Sequence, residues 1–228
     1  MIKLVNGNGK YEYMVPLRED DLYGEDALFA GGDCYESAMS IDDPADHEER
    51  IRLFQAAEQL YLQSAERGNA IASMCLGYVY SYDRCEGRYW RGKGEECERP
   101  YPREERAFEC FSVAAEADIP EACYKLGDMY KEGVGCNSDA ASAYEWYIRA
   151  SKLAMDGETP VVLGSIALRL AWCLEEGFGC EQSFSCALQM YHHAVRALEA
   201  AVDVGETWYE KALASAQAGV MRCKQEVF

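Results

Sequence analysis

Basic residues are in short supply in this chain. It has 22 Lys and Arg against 40 Asp and Glu, a formal net charge of −18 over 228 residues. A phosphate backbone repels such a surface, so no nucleic acid partner is expected. Long apolar runs are missing too. None approaches the roughly 18–20 residues that a membrane-crossing helix needs, and no membrane partner is expected. The opening stretch, Met1-Ile2-Lys3-Leu4-Val5-Asn6-Gly7, lacks the basic region and apolar core of a secretory leader. The expected compartment is cytoplasmic.

Histidine occurs three times and Cys-x-x-Cys never. The closest cysteines, Cys180 and Cys186, have no histidine at zinc-site spacing, so no metal site is expected. His192 and His193 are neighbours on a predicted helix, about 100° apart, and cannot chelate one ion together. One is expected at the core edge and the other in solvent. There is no Gly-rich phosphate loop, no His-Glu-x-x-His and no Gly-x-Ser-x-Gly. The expectation is therefore no cofactor, no catalytic residue and no enzyme.

What is present is 49% hydrophobic residues, enough to exclude a disordered chain. Eleven cysteines, an odd number, leave at least one unpaired within the chain. In the expected compartment they are reduced and behave as small hydrophobes. The acidic excess is uneven. Residues 1–50 hold 13 acids and 4 bases, so half of the excess lies in less than a quarter of the chain.

The chain repeats itself. A shift of 50 superimposes Ala65, Glu66, Ala72, Leu76, Gly77 and Tyr80 on Ala115, Glu116, Ala122, Leu126, Gly127 and Tyr130. A shift of 44 carries Glu132-Gly133-Val134-Gly135-Cys136 to Glu176-Gly177-Phe178-Gly179-Cys180, and Ala143, Tyr147 and Ala150 to Ala187, Tyr191 and Ala194. A fainter echo places Ala27, Gly32, Asp33 and Tyr35 on Ala122, Gly127, Asp128 and Tyr130.

Each unit reads as two helices. Helix A carries apolar residues at helical spacing, as in Ala143, Trp146, Tyr147 and Ala150. Helix B does so with Ala122, Leu126, Met129 and Tyr130. Mid-helix glycine costs about 1 kcal/mol relative to Ala. Gly77 and Gly127 therefore imply close packing, expected against a neighbouring helix backbone. Gly133 and Gly177 are placed to end helix B in the left-handed conformation. Asp139 and Ser183 are placed to cap the next helix A. Cys136 and Cys180 then share one repeat position, a core plug after Gly-x-Gly.

The string Leu126-Gly127-Asp128-Met129-Tyr130-Lys131-Glu132-Gly133-Val134-Gly135, followed by Asp139, Ala143, Trp146-Tyr147 and Ala150, resembles the Sel1-like repeat, a relative of the tetratricopeptide repeat. The resemblance covers residues 50–205 and extends towards residue 25. It implies an all-α, right-handed superhelical solenoid of antiparallel helix pairs. Members of the family serve mainly as protein-interaction scaffolds. A cysteine-rich secreted branch pairs cysteines a few residues apart and is linked to penicillin binding. That spacing is absent here, which weakens the implication of a β-lactam or cell-wall hydrolase.

The units are uneven. Helix A to helix A is 36 residues from Phe111 to Tyr147 but 50 from Tyr61 to Phe111, so 14 extra residues lie within 81–104. A further 8 lie near Met155 to Val162. In the first insertion aromatics alternate with arginine, both enriched at binding hot spots. Tyr82, Arg88, Tyr89, Trp90, Arg91 and Tyr101 are the candidate partner-binding residues. The competing reading folds the aromatics back onto the solenoid and pairs the arginines with Glu86, Glu95, Glu96 and Glu98. Cys85 and Cys97 flank a possible cross-link there.

Lys3 to Val15 reads as a β-hairpin around Asn6-Gly7-Asn8-Gly9. The expected organisation is a hairpin and acidic lead-in at 1–24, a repeat solenoid at 25–205 and a capping helix at 206–228. In that helix Ala212, Ala216 and Met221 are expected to face inward. The expected function is a scaffold for another protein or peptide, of basic character by charge. The alternative is an acidic, immunity-type or inhibitory subunit for one basic protein.

Overall fold

The computed structural model describes residues 2–5, 12–15, 22–89, 102–154 and 160–227. The chain forms two compact units, residues 1–114 and 115–228. Helices dominate both.

In the first unit, β1 (Ile2–Val5) and β2 (Glu12–Val15) pair antiparallel, Ile2 opposite Val15 and Val5 opposite Glu12. The expected Asn-Gly-Asn-Gly turn lies outside the described residues. Helix α1 (Glu25–Met39) is followed by a 3-10 turn, Pro44–Asp46, then α2 (His47–Glu66), α3 (Ala70–Ser81) and α4 (Arg103–Glu116), whose last two residues fall in the second unit. Local chemistry sets these starts. The Asp43 carboxylate accepts from the Ala45 N–H, with Pro44 at the first position of the turn. Asn69 accepts from the N–H groups of Ile71 and Ala72 and caps α3. Along α2, Ile51, Phe54, Ala57, Leu60 and Tyr61 are buried at three- and four-residue spacing and pack α2 between α1 and α3. Each large side chain so buried contributes about 1.5–3 kcal/mol.

The second unit holds α5 (Pro120–Glu132), α6 (Ala140–Leu153), α7 (Pro160–Glu176), α8 (Phe184–Asp203) and α9 (Glu210–Val227). Each packs on the next, and α7 also touches α5 and α9. That is the contact pattern of stacked helix pairs, with every second helix forming a layer. Gly133 closes α5 at φ 71°, its N–H donating to the Met129 carbonyl. Gly177 follows α7 at φ 70°. Asp139 and Ser183 cap α6 and α8 through their side-chain oxygens.

The mid-helix glycines pack more specifically than expected. It is chiefly an aromatic ring of helix A, not a backbone, that lies on them. A Cβ on Gly77 would meet the Phe111 ring at 2.8 Å, and one on Gly31 the Tyr61 ring at 2.7 Å. On Gly127 it would meet the Tyr147 ring at 2.5 Å, with the Ala143 carbonyl at 3.1 Å. Tyr191 differs. Its ring lies on Gly219 of α9, because the position equivalent to Gly127 is Ala171.

Two expectations are corrected. Met221 points outward, 60% exposed, while Gly219, Val220 and Cys223 join Ala216 inside. The buried stripe of α9 is set by contact with α8 and runs one position away from Met221. Likewise His192 and His193 are both exposed, since Tyr191 and Ala194 take the buried positions on either side.

Candidate interaction surface

The insertion leaves α3 through a tight turn. Asp83 and Glu86 adopt positive φ, 48° and 49°, as does Gly87 at 75°. Asp83 holds the turn together. Its Oδ1 accepts from the Gly87 N–H and the Tyr89 hydroxyl, at 3.1 and 2.8 Å, and its Oδ2 lies 3.4 Å from Arg103 on α4. One carboxylate thereby ties both described ends of the insertion.

The candidate residues separate in this setting. Tyr89 is 5% exposed, edge-on to Tyr80 at 5.2 Å, with its hydroxyl donating to Asp83 at 2.8 Å and lying 3.3 Å from the Val79 carbonyl. Burial pushes its phenol up. It anchors the insertion and is not part of an exposed surface. Arg88 forks onto Glu48 of α2 at 2.9 and 3.2 Å, and its carbonyl accepts from Gln55. Among the described arginines of the insertion, Arg88 thus pairs with Glu48 of α2 and Arg103 with Asp83 of the turn, rather than with Glu86. Tyr82 is 54% exposed and stacks on Tyr78, ring centroids 5.9 Å apart. Trp90, Arg91 and Tyr101 lie outside the described residues. Cys85 is fully buried, and burial pushes its thiol up. Cys97 is outside the described residues.

Sequence reasoning passed over Arg84. Its guanidinium stands over three rings, 5.0 Å from Tyr82 and 5.6 Å from both Tyr35 and Phe54, and its Nε donates to the Tyr35 hydroxyl at 3.0 Å. Such stacking contributes about 0.5–2 kcal/mol. A cavity of about 300 Å³ opens beside it, with Arg50, Asp42 and Glu86 also on its wall. Of the described candidates, Tyr82 and Arg88 are exposed, and Arg84 is half-buried beside Tyr82. Two of the three rings come from α1 and α2, far away in sequence, so the signal for Arg84 could not be read locally.

In the second unit, polar groups are tied into the repeat. The Tyr147 hydroxyl donates to Asp128, which takes both Nε and an amino group of Arg169 at 2.6 and 2.5 Å. One repeat later, the Tyr191 hydroxyl donates to Glu175, which takes Nε and an amino group of Arg222 at 2.6 and 2.8 Å. Arg222 beside Glu175 lowers that carboxyl despite its burial. The repeat glycines Gly133, Gly135, Gly177 and Gly179 all have φ near 70°. They turn Cys136 and Cys180 back so that each thiol points at a carbonyl ending the preceding helix, Met129 at 3.6 Å and Cys173 at 3.5 Å. Both thiols are partly buried. Among the described residues no group of three or more His, Cys, Asp or Glu could hold a metal ion. Nor is any helix among them long and apolar enough to cross a membrane.

The family model for the Sel1 repeat matches residues 52–69, 87–119, 120–155 and 167–197, together more than half of the chain. The chain belongs to the Sel1 repeat family. A solved Sel1 repeat protein from Oxalobacter formigenes is similar in fold, with a TM-score of 0.55 at 18% identity, over 90% of this chain and 72% of that one. A second match is c5321, a protective antigen of uropathogenic Escherichia coli with an SLR fold, at 16% identity, 89% and 45% coverage and a TM-score of 0.39. The second of the matched Sel1 stretches begins at Gly87 and so takes in most of the insertion.

Proposed function

We propose that this Sel1 repeat chain is a non-catalytic scaffold that holds another protein or peptide, working in the cytoplasm. The observation that supports this most is the repeat itself, four matched Sel1 stretches, with successive helices packed together within each unit. The groups able to do acid–base chemistry add support. Asp128 and Glu175 are committed to paired arginine and tyrosine partners, which hold the repeats in register. The docking surface proposed for unit 1 is the edge formed by exposed Tyr82 and half-buried Arg84.

The test is site-specific cross-linking. A photo-reactive residue replaces Tyr82, with a second chain carrying it at exposed Lys224 as control. A discrete cross-linked partner at position 82 in native lysate, lost in Arg84→Ala, is the expected result. Equal labelling at both positions would remove the surface from consideration.

The −18 charge favours one narrower reading, an acidic inhibitory subunit for a single basic protein. Such an association is accelerated by long-range attraction and slows as salt screens it. An association rate unchanged between 50 and 500 mM salt would sink that reading and leave the scaffold reading standing.

A further inference from the structure

The second unit carries an open apolar groove of about 660 Å³. Its lining is mainly stripes on two helices, with Ser151 of α6 and Ala154 beside them. Leu163, Ile166 and Leu170 recur at helical spacing on α7, and Met190, His193 and Ala197 on α8. Leu163 is 38% exposed although it points into a groove of its own kind of surface. From Leu163 to Leu170 the α7 stripe rises seven steps, or about 10 Å at 1.5 Å per residue, which is close to two turns of a helix.

Among the described residues, charge along the groove runs against the rest of the chain. In a protein with 40 Asp and Glu, none of the described lining residues is acidic. Arg196 is the lining residue with a fixed charge. Its guanidinium donates to His193 Nδ1 at 2.9 Å, and it makes no salt bridge to a described carboxylate. Elsewhere in this unit Arg149, Arg169 and Arg222 each sit on an acid. Arg196 is exposed, with guanidinium N–H groups left to donate.

We propose that this groove receives an amphipathic helical segment of a partner protein. The segment presents large apolar side chains at i and i+3 or i+4 to the α7 and α8 stripes, and one flanking carboxylate to Arg196. Helix-in-groove recognition reads that spacing. A polyacidic partner is disfavoured by the −18 charge, which acts over about 8 Å at physiological salt. A lone carboxylate in contact with Arg196 feels the local cation instead. The proposal names the partner chemistry within the scaffold reading and uses a surface separate from Tyr82 and Arg84.

The experiment is selection from a phage-displayed library of helical peptides about sixteen residues long, on the full chain. The enriched peptides are then synthesised with fluorescein and titrated against wild type, Leu163→Glu and Arg196→Glu. Both substitutions are at exposed side chains, and unchanged melting confirms that the variants fold. The expected result is enrichment of two or more large apolar residues at helical spacing with an Asp or Glu. Affinity should then fall about tenfold or more in each variant, which is roughly 1.4 kcal/mol. Peptides that bind both variants within twofold of wild type, or a library that yields no such pattern, would overturn the groove proposal. If Tyr82 cross-linking still captures a partner, the scaffold reading survives that failure. If both fail, both readings fall.

Discussion

Tyr147 of α6 lays its ring on Gly127 of α5, 2.5 Å from the point that a Cβ would occupy. The same contact recurs between Phe111 and Gly77 and between Tyr61 and Gly31. The ring, rather than the missing side chain, fills the interface. Gly127→Ala must displace Tyr147, whose hydroxyl is held by Asp128. We expect a loss of about 1–3 kcal/mol. Gly32 provides the opposite case. It also lies in a helix interior, but a Cβ there meets nothing within 4 Å. Gly32→Ala should therefore gain about 0.5–1 kcal/mol from helix propensity. Urea titration of both variants gives the comparison, and midpoints that move in the same direction would refute the packing account.

Glu175 gives the second unit a dependence on acid. Its side chain is 7% exposed and bonded to Arg222 and Tyr191. The Arg222 hydrogen bonds hold its carboxyl below the ordinary glutamate value of 4.5, against the upward push of burial. The folded chain thus binds fewer protons here than the unfolded chain. The stability gained is complete above about pH 4.5 and is lost as pH falls through the lower folded value. With Arg222 half exposed, the gain is about 1–2 kcal/mol. Glu175→Gln should melt lower at pH 7, and its melting temperature should converge on wild type as the pH drops towards 3. A gap that stays constant over that range contradicts the assignment.

Much of this architecture is legible in the sequence because repetition averages out local ambiguity. The glycines at 133, 135, 177 and 179 and the caps at 139 and 183 recur at one spacing, and each does in the fold what its chemistry dictates. The insertion after Ser81 follows from the unequal spacing of Tyr61, Phe111 and Tyr147. Features without a repeated register stayed hidden. Asp128 and Glu175 play one role, but the acid moves about one helical turn between repeats, so no shift of the sequence aligns them. The cage around Arg84 adds Tyr35 and Phe54, from distant positions, to the neighbouring Tyr82. The α7–α8 groove is a gap between two stripes, and a pattern of residues does not encode a gap.

Cysteine reactivity should follow burial rather than number. Burial pushes the thiols of Cys34 and Cys123 up to about 11 and that of Cys173 up to about 12, well away from the thiolate form that reacts. Among the described cysteines, Cys186 is the exposed one. Iodoacetamide at pH 7.5 followed by peptide mapping should therefore modify Cys186 first among them. Cys34, Cys123 and Cys173 should react only after denaturation. Modification of Cys173 as fast as Cys186 would mean that α7 opens readily in the native protein.

Tyr82 and Tyr89 lie seven residues apart in one insertion, yet substitutions there should act in opposite ways. Tyr89 is buried against Tyr80 and donates to Asp83, the residue that also meets Arg103. Tyr89→Ala empties a core position and should cost about 3 kcal/mol, as for other buried aromatic residues. Tyr89→Phe removes only the hydroxyl and should cost about 1 kcal/mol. In Tyr89→Ala the amides of Glu86 to Arg88, held by bonds such as Arg88 N–H to the Cys85 carbonyl, should exchange faster with deuterium. Tyr82, more than half exposed, should tolerate alanine within about 0.5 kcal/mol. Its loss should appear instead as weaker partner capture. A Tyr82→Ala protein that unfolds while Tyr89→Ala does not would reverse the assignment of anchor and contact residue.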